Sequence, residues 1–206
     1  SRYQQAASAL ETLDGLMRRP SDRHKSREYI VPDRFYGKLT ADEVEFAYPG
    51  ENATRVLNRV SMKIEPGEHI ALLGKIGSGK STFLRLMAGL YSPVRGVIKI
   101  DDIDHRQIDP SVLRRHIGYV GQDPQLFRGT LRENLRLSDK TIRDDQLIKV
   151  LKMLDLYDLI ESHPLGLEMP LTEVGGGLSG GQRQLIAIAR MMVRNPVFVF
   201  MDEPTS

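Results

Sequence analysis

Residues 74–82 read GKIGSGKST, and this stretch decides the fold. It follows the short apolar segment HIALLG at 69–74 and leads into TFLRLMAGL, so it joins a predicted buried strand to a predicted helix. Glycines at such a junction let backbone N–H groups curl around phosphates, and a helix N-terminus favours negative charge. A chance glycine-rich turn would not need the strand, the lysine, the serine and the helix together, so the stretch is predicted to be a P-loop.

The P-loop residues have distinct predicted roles. Lys80 would reach the β- and γ-phosphates of a nucleotide, and the Ser81 hydroxyl would bind Mg²⁺. The predicted nucleotide-binding stretch comprises Gly74, Lys75, Ile76, Gly77, Ser78, Gly79, Lys80, Ser81 and Thr82.

Two adjacent carboxylates follow a second apolar segment, VFVFM at 197–201. If this segment is a buried strand, it delivers Asp202 to its carboxyl end, where Asp202 could hold Mg²⁺ directly or through water. Glu203 could then orient or deprotonate an attacking water. An Asp-Glu pair after a strand is weak evidence alone, but it becomes strong evidence when a P-loop lies upstream.

A second glycine-rich stretch, LSGGQ, lies just before the predicted helix RQLIAIARMMV. Taken alone it would be a glycine-rich helix cap. Its exposed backbone N–H groups would also form a second anion-binding site at a helix N-terminus. The P-loop already encloses one nucleotide, so this second site is interpreted as binding a nucleotide held by another molecule. The residues are Leu178, Ser179, Gly180, Gly181 and Gln182.

A P-loop, LSGGQ and an apolar strand ending in Asp-Glu, in this order, resemble the nucleotide-binding domain of an ABC transporter. The resemblance covers about Leu39–Ser206. It implies an ATPase that uses ATP and Mg²⁺. It also implies a head-to-tail pair of such domains, in which each LSGGQ closes on ATP held by the partner's P-loop. We expect a homodimer, and a heterodimer stays open as the alternative.

The same resemblance implies roles for two residues that their spacing does not single out. Tyr48 in FAYPG resembles the aromatic residue that stacks on adenine. Gln122 resembles the Q-loop glutamine, which contacts Mg²⁺ and the attacking water and is therefore counted among the catalytic and metal-contacting residues. Without the resemblance, Tyr48 would be taken for a core or edge tyrosine and Gln122 for a surface glutamine.

Residues 122–135, QDPQLFRGTLRENL, resemble exporters in which the membrane domain precedes the ATPase on one chain. The stretches GKIGSGKST, MAGLYSPVRG and IDPSVLRRHIGYV look most like type I secretion exporters, the haemolysin-exporter group, although Gly121 stands where that group often has proline. This implies secretion of polypeptides, powered from the cytoplasmic face of the bacterial inner membrane. The implied partners are the chain's own upstream transmembrane domain, a membrane-fusion adaptor and an outer-membrane channel.

Two alternatives stay open at this point. The chain could serve an ABC exporter of peptides, lipids or drugs, or it could be a nucleotide-binding module without turnover. A soluble ABC ATPase acting on DNA or ribosomes fits the exporter-like GTLREN less well, and a formal charge of +2 gives no push toward nucleic acid. The chain has no cysteine, which excludes disulfides and cysteine-based zinc sites.

The predicted architecture is an α/β P-loop NTPase with a mainly parallel sheet flanked by helices. An antiparallel part lies near the N-terminus, and a helical subdomain with the signature LSGGQ spans about 124–195. The ATP-binding domain would cover 39–206. Residues 1–38 would form a leader helix over 3–17 and a solvated basic linker. The helix is either a surface helix packed on the domain or the tail of a helix that begins upstream.

The resemblance also implies parts that this sequence does not contain. A D-loop should follow EPTS, and a histidine that senses the γ-phosphate should lie about a helix and a strand later, whereas all five histidines precede Asp202. We therefore expect a C-terminally truncated piece of a longer protein that turns over ATP slowly.

Overall fold

The computed structural model of the chain describes residues 2–17, 23, 27–50, 54–137, 139–172 and 177–204. It confirms the predicted α/β class, with an antiparallel sheet near the N-terminus and a group of helices later in the chain. Parts of two predicted segments lie outside the described residues, namely 18–22 and 24–26 of the basic linker and the last two residues of EPTS.

Some helices of the described residues begin at side-chain caps. Asp109 accepts from the Ser111 backbone N–H ahead of a helix that starts at Pro110, and Thr130 and Glu133 cap each other's backbone in a capping box. The α-helices are α1 (Arg2–Met17), α2 (Lys80–Met87), α3 (Pro110–His116), α4 (Leu131–Arg136), α5 (Asp144–Met153), α6 (Tyr157–Glu161) and α7 (Gly180–Met192), with 3₁₀ turns at His105–Gln107 and Gly166–Glu168.

The strands of the described residues form three sheets. An antiparallel sheet has the order β2-β1-β3-β4, a parallel pair joins β5 and β8, and an antiparallel pair joins β6 and β7. The strands are β1 (Leu39–Ala47), β2 (Arg55–Ile64), β3 (Arg95–Ile100), β4 (Ile103–Asp104), β5 (Ile117–Val120), β6 (Gly129–Thr130), β7 (Pro170–Leu171) and β8 (Phe198–Met201).

The antiparallel sheet packs on helix α2, which the P-loop precedes. Val44 and Phe46 of β1 are buried, as the alternation of apolar residues in this strand predicts. Phe83, Leu86 and Met87 of α2 are buried in the same core. Burial of such a side chain contributes about 1.5–3 kcal/mol, so this packing fixes where the helix begins.

The parallel pair β5–β8 brings distant parts of the chain to one edge. Ile117 lies opposite Phe198 and Val120 lies opposite Met201, and the Asp202 backbone N–H donates to the Val120 carbonyl at 2.9 Å. Because the strands are parallel, the residues that follow them emerge side by side.

One prediction about a buried strand is wrong, and a second is confirmed for one face of the strand only. Residues 69–74 form no strand, and Leu73 is 92% exposed, because this segment makes no ladder with a neighbouring strand among the described residues. The strand β8 is buried on one face only: Phe198 and Phe200 point into the core, whereas Val199 is 48% exposed. A continuous apolar run such as VFVFM is typical of a parallel strand that is buried on both faces. Among the described residues, only one face of β8 is covered.

The helices α4 to α7 surround a second hydrophobic core. Leu131 and Leu135 of α4, Leu147 and Leu151 of α5, and Ile186 of α7 are fully buried in it. This core belongs to the predicted helical subdomain, whose limits at 124–195 stay a prediction. Helix α7 starts at the signature stretch, so this second core positions LSGGQ.

The later part of the predicted linker is not solvated as expected. Phe35 is 6% exposed and packs against His116, at 4.5 Å between ring centroids, and against Phe198. Asp101 accepts hydrogen bonds from the backbone N–H groups of three successive residues at 2.8, 3.1 and 2.9 Å: Tyr36, Gly37 and Lys38. The basic charge of the segment predicted solvation, but an aromatic side chain and a carboxylate tie its end to the domain.

The leader helix forms as predicted, as α1. Its apolar stripe is not buried against the domain, since Leu10, Leu13 and Met17 are exposed. No helix among the described residues combines the length and the apolar character that crossing a bilayer requires.

The buried Phe35 should contribute to the stability of the fold. A substitution at its exposed neighbour, Tyr36, serves as the control. Phe35→Ala should lower the free energy of unfolding by about 3 kcal/mol, because it leaves a cavity between His116 and Phe198. Tyr36→Ala removes an aromatic ring that is 68% exposed and should cost less than about 1 kcal/mol. Urea denaturation of both variants measures the difference, and equal losses would mean that Phe35 does not anchor the segment.

Candidate nucleotide-binding site

The P-loop forms an exposed turn between residue 74 and the first residue of α2. Gly77 and Gly79 have positive φ angles of 78° and 92°, in the left-handed region that favours glycine. A Cβ on Gly79 would also lie 2.9 Å from a methyl group of Leu57. The sequence therefore needs glycine at these positions to turn the loop into the helix N-terminus.

The side chain of Lys80 folds back over this loop. Its Nζ donates to the carbonyl oxygens of Gly74 at 2.9 Å and of Lys75 at 3.1 Å. The ammonium group thus lies against the turn, next to the N-terminus of α2 where the backbone N–H groups are not used within the helix. A cation, a helix N-terminus and exposed glycines at one place suit a polyphosphate.

The structure brings two of the predicted metal residues together. Ser81 Oγ donates to Asp202 Oδ1 at 2.8 Å, and Tyr119 Oη donates to Asp202 Oδ2 at 3.5 Å. Asp202 is 4% exposed, so both contacts serve to satisfy a buried carboxylate.

This pair of oxygen donors fits Mg²⁺. The ion usually takes one or two protein oxygens and completes its shell with phosphate and water. Among the described residues no group of three or more His, Cys, Asp or Glu side chains could hold a metal ion.

Gln122 and Glu203 meet at the edge formed by the parallel pair. Each lies two residues beyond the last register pair, Val120 and Met201. Gln122 Nε2 donates to Glu203 Oε2 at 2.8 Å, and Gln184 of α7 donates to the Glu203 backbone carbonyl at 3.1 Å. Gln122, the third predicted metal residue, therefore contacts Glu203, the predicted catalytic carboxylate, rather than Ser81 or Asp202.

Glu203 has an unusual backbone. Its φ of 51° lies in the left-handed region, which a non-glycine residue adopts at a cost. Residues held this way cluster at functional sites, where the surrounding structure imposes the conformation. Here the hydrogen bonds from Gln122 and Gln184 hold both the side chain and the backbone.

Tyr48 lies beside the P-loop helix rather than in the centre of the core. Its hydroxyl is 3.0 Å from Thr82 Oγ1, and its ring packs edge-on against Phe46 at 5.0 Å and Tyr91 at 5.5 Å. The tyrosine is half-buried. It therefore sits next to Thr82, the last residue of the predicted nucleotide-binding stretch.

The signature stretch caps its own helix. Ser179 Oγ accepts from the Gln182 backbone N–H at 3.1 Å, and the Gln182 side chain returns to the Ser179 N–H at 2.8 Å. Arg183 donates to the Leu178 carbonyl at 3.2 Å. Gly180 and Gly181 are exposed, so LSGGQ presents an open helix N-terminus.

Sequence reasoning missed three residues of this site. Arg85 contacts Tyr48 at 3.4 Å, Tyr119 contacts Asp202, and Gln184 contacts Glu203. Helical spacing could have indicated Arg85, because it lies one turn after Ser81 and Thr82. The other two contacts depend on the β5–β8 pairing and on how α7 packs, which no local pattern specifies.

A cavity of about 470 Å³ lies elsewhere, beside α4, and is lined by Phe127, Arg128, Arg132, Glu133, Asn134, Arg136, Leu137, Asp139 and Lys140. None of the residues predicted to bind nucleotide lines it. The candidate site is therefore the open surface at the P-loop.

Known proteins resemble this chain along nearly its whole length. "Multidrug resistance protein 3" of Entamoeba histolytica is 36% identical over 203 residues, which are 97% of this chain and 16% of that protein. "P-glycoprotein 14" of Caenorhabditis elegans is 36% identical over 201 residues, 98% of this chain and 15% of that protein. "ATP-binding cassette sub-family B member 5" of Homo sapiens is 35% identical over 199 residues, 97% of this chain and 16% of that protein. The chain thus spans about one sixth of the length of these relatives.

A family model described as "ABC transporter" matches residues 57–206. The matched span contains the P-loop, LSGGQ and the Asp-Glu pair, and it covers most of the chain. Domains of this kind are ATPases, which agrees with the enzyme class predicted from the sequence. The chain belongs to the ABC transporter family, as one of its ATP-binding domains.

Proposed function

We propose that this chain binds Mg·ATP at the P-loop and hydrolyses it as the motor domain of an ABC exporter. The contact between Ser81 and Asp202, at 2.8 Å, carries the proposal. It joins the N-terminus of α2 to the carboxyl end of β8, so a phosphate-binding loop and a metal-binding carboxylate face one place. Family membership supports the same activity.

The nucleotide would lie along residues 74–82, with its phosphates on the backbone N–H groups of the loop. Lys80 would exchange its contacts with the Gly74 and Lys75 carbonyls for contacts with phosphate oxygens. Tyr48, next to Thr82, would stack on the adenine ring.

Ser81 and Asp202 would hold Mg²⁺, together with phosphate oxygens and water. When bound, the ion neutralises the charge that develops on the phosphates during transfer. The buried position of Asp202 keeps its carboxylate in place for this role.

Glu203 would orient or deprotonate the attacking water, with Gln122 beside it. The hydrogen bond from Gln122, at 2.8 Å, orients the Glu203 carboxylate. Gln184 holds the Glu203 backbone from α7, the helix that starts at LSGGQ. A change at the signature stretch would therefore reach the catalytic carboxylate through one helix.

LSGGQ would act on the nucleotide of a second copy, arranged head to tail. The capping box engages Ser179 and Gln182, while Gly180 and Gly181 remain exposed at the N-terminus of α7. A second phosphate group would suit this position. The proposed active unit is a homodimer, joined to its own transmembrane domain at the cytoplasmic face of a membrane.

The transported substrate is a separate proposal. Names such as "Multidrug resistance protein 3" among the relatives favour the alternative of an exporter of drugs, lipids or peptides. The resemblance of GKIGSGKST, MAGLYSPVRG and IDPSVLRRHIGYV to type I secretion exporters supports polypeptide secretion. The relatives, however, give no support to that subtype, to a membrane-fusion adaptor or to an outer-membrane channel. We therefore favour an exporter of drugs, lipids or peptides over a type I secretion exporter. A nucleotide-binding module without turnover remains the second candidate, and phosphate release separates the two.

Removal of the P-loop lysine should abolish most nucleotide binding. Lys80→Ala should weaken Mg·ATP binding by about 100-fold, because it removes a charge-assisted contact to the phosphates. Lys149→Ala, on the exposed face of α5, is the matched control and should bind like the wild type. Titration with a fluorescent ATP analogue measures both, and unchanged affinity in Lys80→Ala would refute the P-loop assignment.

Loss of the Glu203 carboxylate should separate binding from hydrolysis. Glu203→Gln should bind ATP within about threefold of the wild type and release phosphate about 100-fold more slowly, because an amide cannot accept a proton from water. Glu161→Gln, at the end of α6, controls for the loss of one surface charge. Phosphate release at saturating ATP is the measurement. If Glu203→Gln hydrolyses ATP as fast as wild type, another group activates the water.

A further inference from the structure

Thr82 lies in the first turn of α2, directly after the proposed metal ligand Ser81. The backbone hydrogen bonds of this helix begin with the one from the Phe83 N–H to the Gly79 carbonyl, at 2.8 Å. The Thr82 N–H therefore belongs to the helix N-terminus, where N–H groups have no partner within the helix and suit phosphate. The side chain of Thr82 makes a different contact, at the base end of the proposed site.

The hydroxyl of Thr82 is buried and is paired with a tyrosine. Thr82 is 6% exposed, and its Oγ1 lies 3.0 Å from Tyr48 Oη, where either hydroxyl can donate. A buried hydroxyl without a hydrogen bond is costly, so this contact favours one arrangement of the two side chains. A threonine has few rotamers in a helix, and Phe83 and Leu86 pack the same helix into the core. The Thr82 oxygen is therefore a fixed point for its partner.

The Tyr48 side chain is restrained both at its ring and at its hydroxyl. Phe46 and Tyr91 pack nearly perpendicular to the ring, at 5.0 and 5.5 Å between centroids. Arg85 Nη1 lies 3.4 Å from the Tyr48 hydroxyl, which is long for a hydrogen bond, so Thr82 is the closer of these two partners. The aromatic contacts thus hold the body of the ring, and the bond to Thr82 holds its far end.

We propose that Thr82 is a positioning residue that sets the Tyr48 ring for adenine. The proposal rests on the proposed function, because it takes Tyr48 as the adenine contact. One residue would then serve both ends of a nucleoside triphosphate, with its backbone N–H at the phosphates and its hydroxyl, through Tyr48, at the base. The span from the phosphate-binding loop to the stacking ring is fixed before ligand binds, and such preorganisation raises affinity because less ordering is left for the binding step.

Two ligands, one with a base and one without, test this role. The measurement is the affinity of ATP and of inorganic tripolyphosphate, both with Mg²⁺, by isothermal titration calorimetry. Thr82→Val removes the hydroxyl and should weaken ATP binding by about fivefold, which corresponds to one hydrogen bond, while tripolyphosphate binds as in the wild type. Thr82→Ser keeps the hydroxyl and should bind both ligands like the wild type. Thr141→Val, at an exposed position before α5, is the matched control.

Tyr48→Phe removes the other hydroxyl of the pair and keeps the ring. It should show the same selective loss of ATP affinity, and it decides the matter if Thr82→Val does not fold in a thermal melt. The double variant Thr82→Val/Tyr48→Phe should lose little more than either single variant, because both changes break one bond. Losses that multiply in the double variant would mean that the two hydroxyls act separately, and would overturn the positioning role.

Two further results in Thr82→Val would also overturn it. Equal losses for ATP and tripolyphosphate would mean that the hydroxyl serves the phosphates or the fold, and unchanged affinity for both would mean that Tyr48 needs no such support. Tyr48→Ala distinguishes these results from a failure of the proposed function, since it should weaken ATP binding alone and by more than Thr82→Val does. Unchanged ATP binding in Tyr48→Ala would overturn the adenine contact, and a wild type that binds neither ligand would overturn the nucleotide site, with the positioning role in both cases.

Discussion

The hydrogen bond between Ser81 Oγ and Asp202 Oδ1 joins residues that lie 121 positions apart in the chain. One side chain stands in the first turn of α2, and the other ends β8. One hydrophobic core holds both elements: Phe83, Leu86 and Met87 of the helix and Phe198 and Phe200 of the strand are buried in it. Because both elements are packed, the distance between the two oxygens is a property of the fold, and the candidate metal site exists only while that packing does.

Several charged groups lie close to the contact between Ser81 and Asp202. A carboxylate that is 4% exposed needs partners, and the hydroxyls of Ser81 and Tyr119 supply them. The Lys80 ammonium group lies on the neighbouring turn and the Glu203 carboxylate follows directly in the chain. A polyphosphate with Mg²⁺ adds charges of both signs to this arrangement: phosphate beside the lysine and the helix N-terminus, and metal beside the carboxylate.

Much of the site could be predicted from sequence because its elements are local. GKIGSGKST needs left-handed glycines at Gly77 and Gly79, and the structure has them; LSGGQ forms a capping box at Ser179. The failures concern partners that a local pattern cannot name. The apolar segment 69–74 reads as a strand but finds no ladder among the described residues, and Phe35 lies in a basic segment yet packs on Phe198.

Metal binding in the presence of nucleotide tests the central claim most directly, namely that Ser81 and Asp202 hold one ion together. Mn²⁺ can replace Mg²⁺ and its binding with ATP can be followed by electron paramagnetic resonance, for the wild type, Ser81→Ala, Asp202→Asn and the double variant. Ligands of one ion should be strongly coupled, so we predict that each single change weakens Mn²⁺ binding by about tenfold or more and that the double change adds little further. Unaltered Mn²⁺ binding in Asp202→Asn, or losses that simply multiply in the double variant, would contradict a shared metal site.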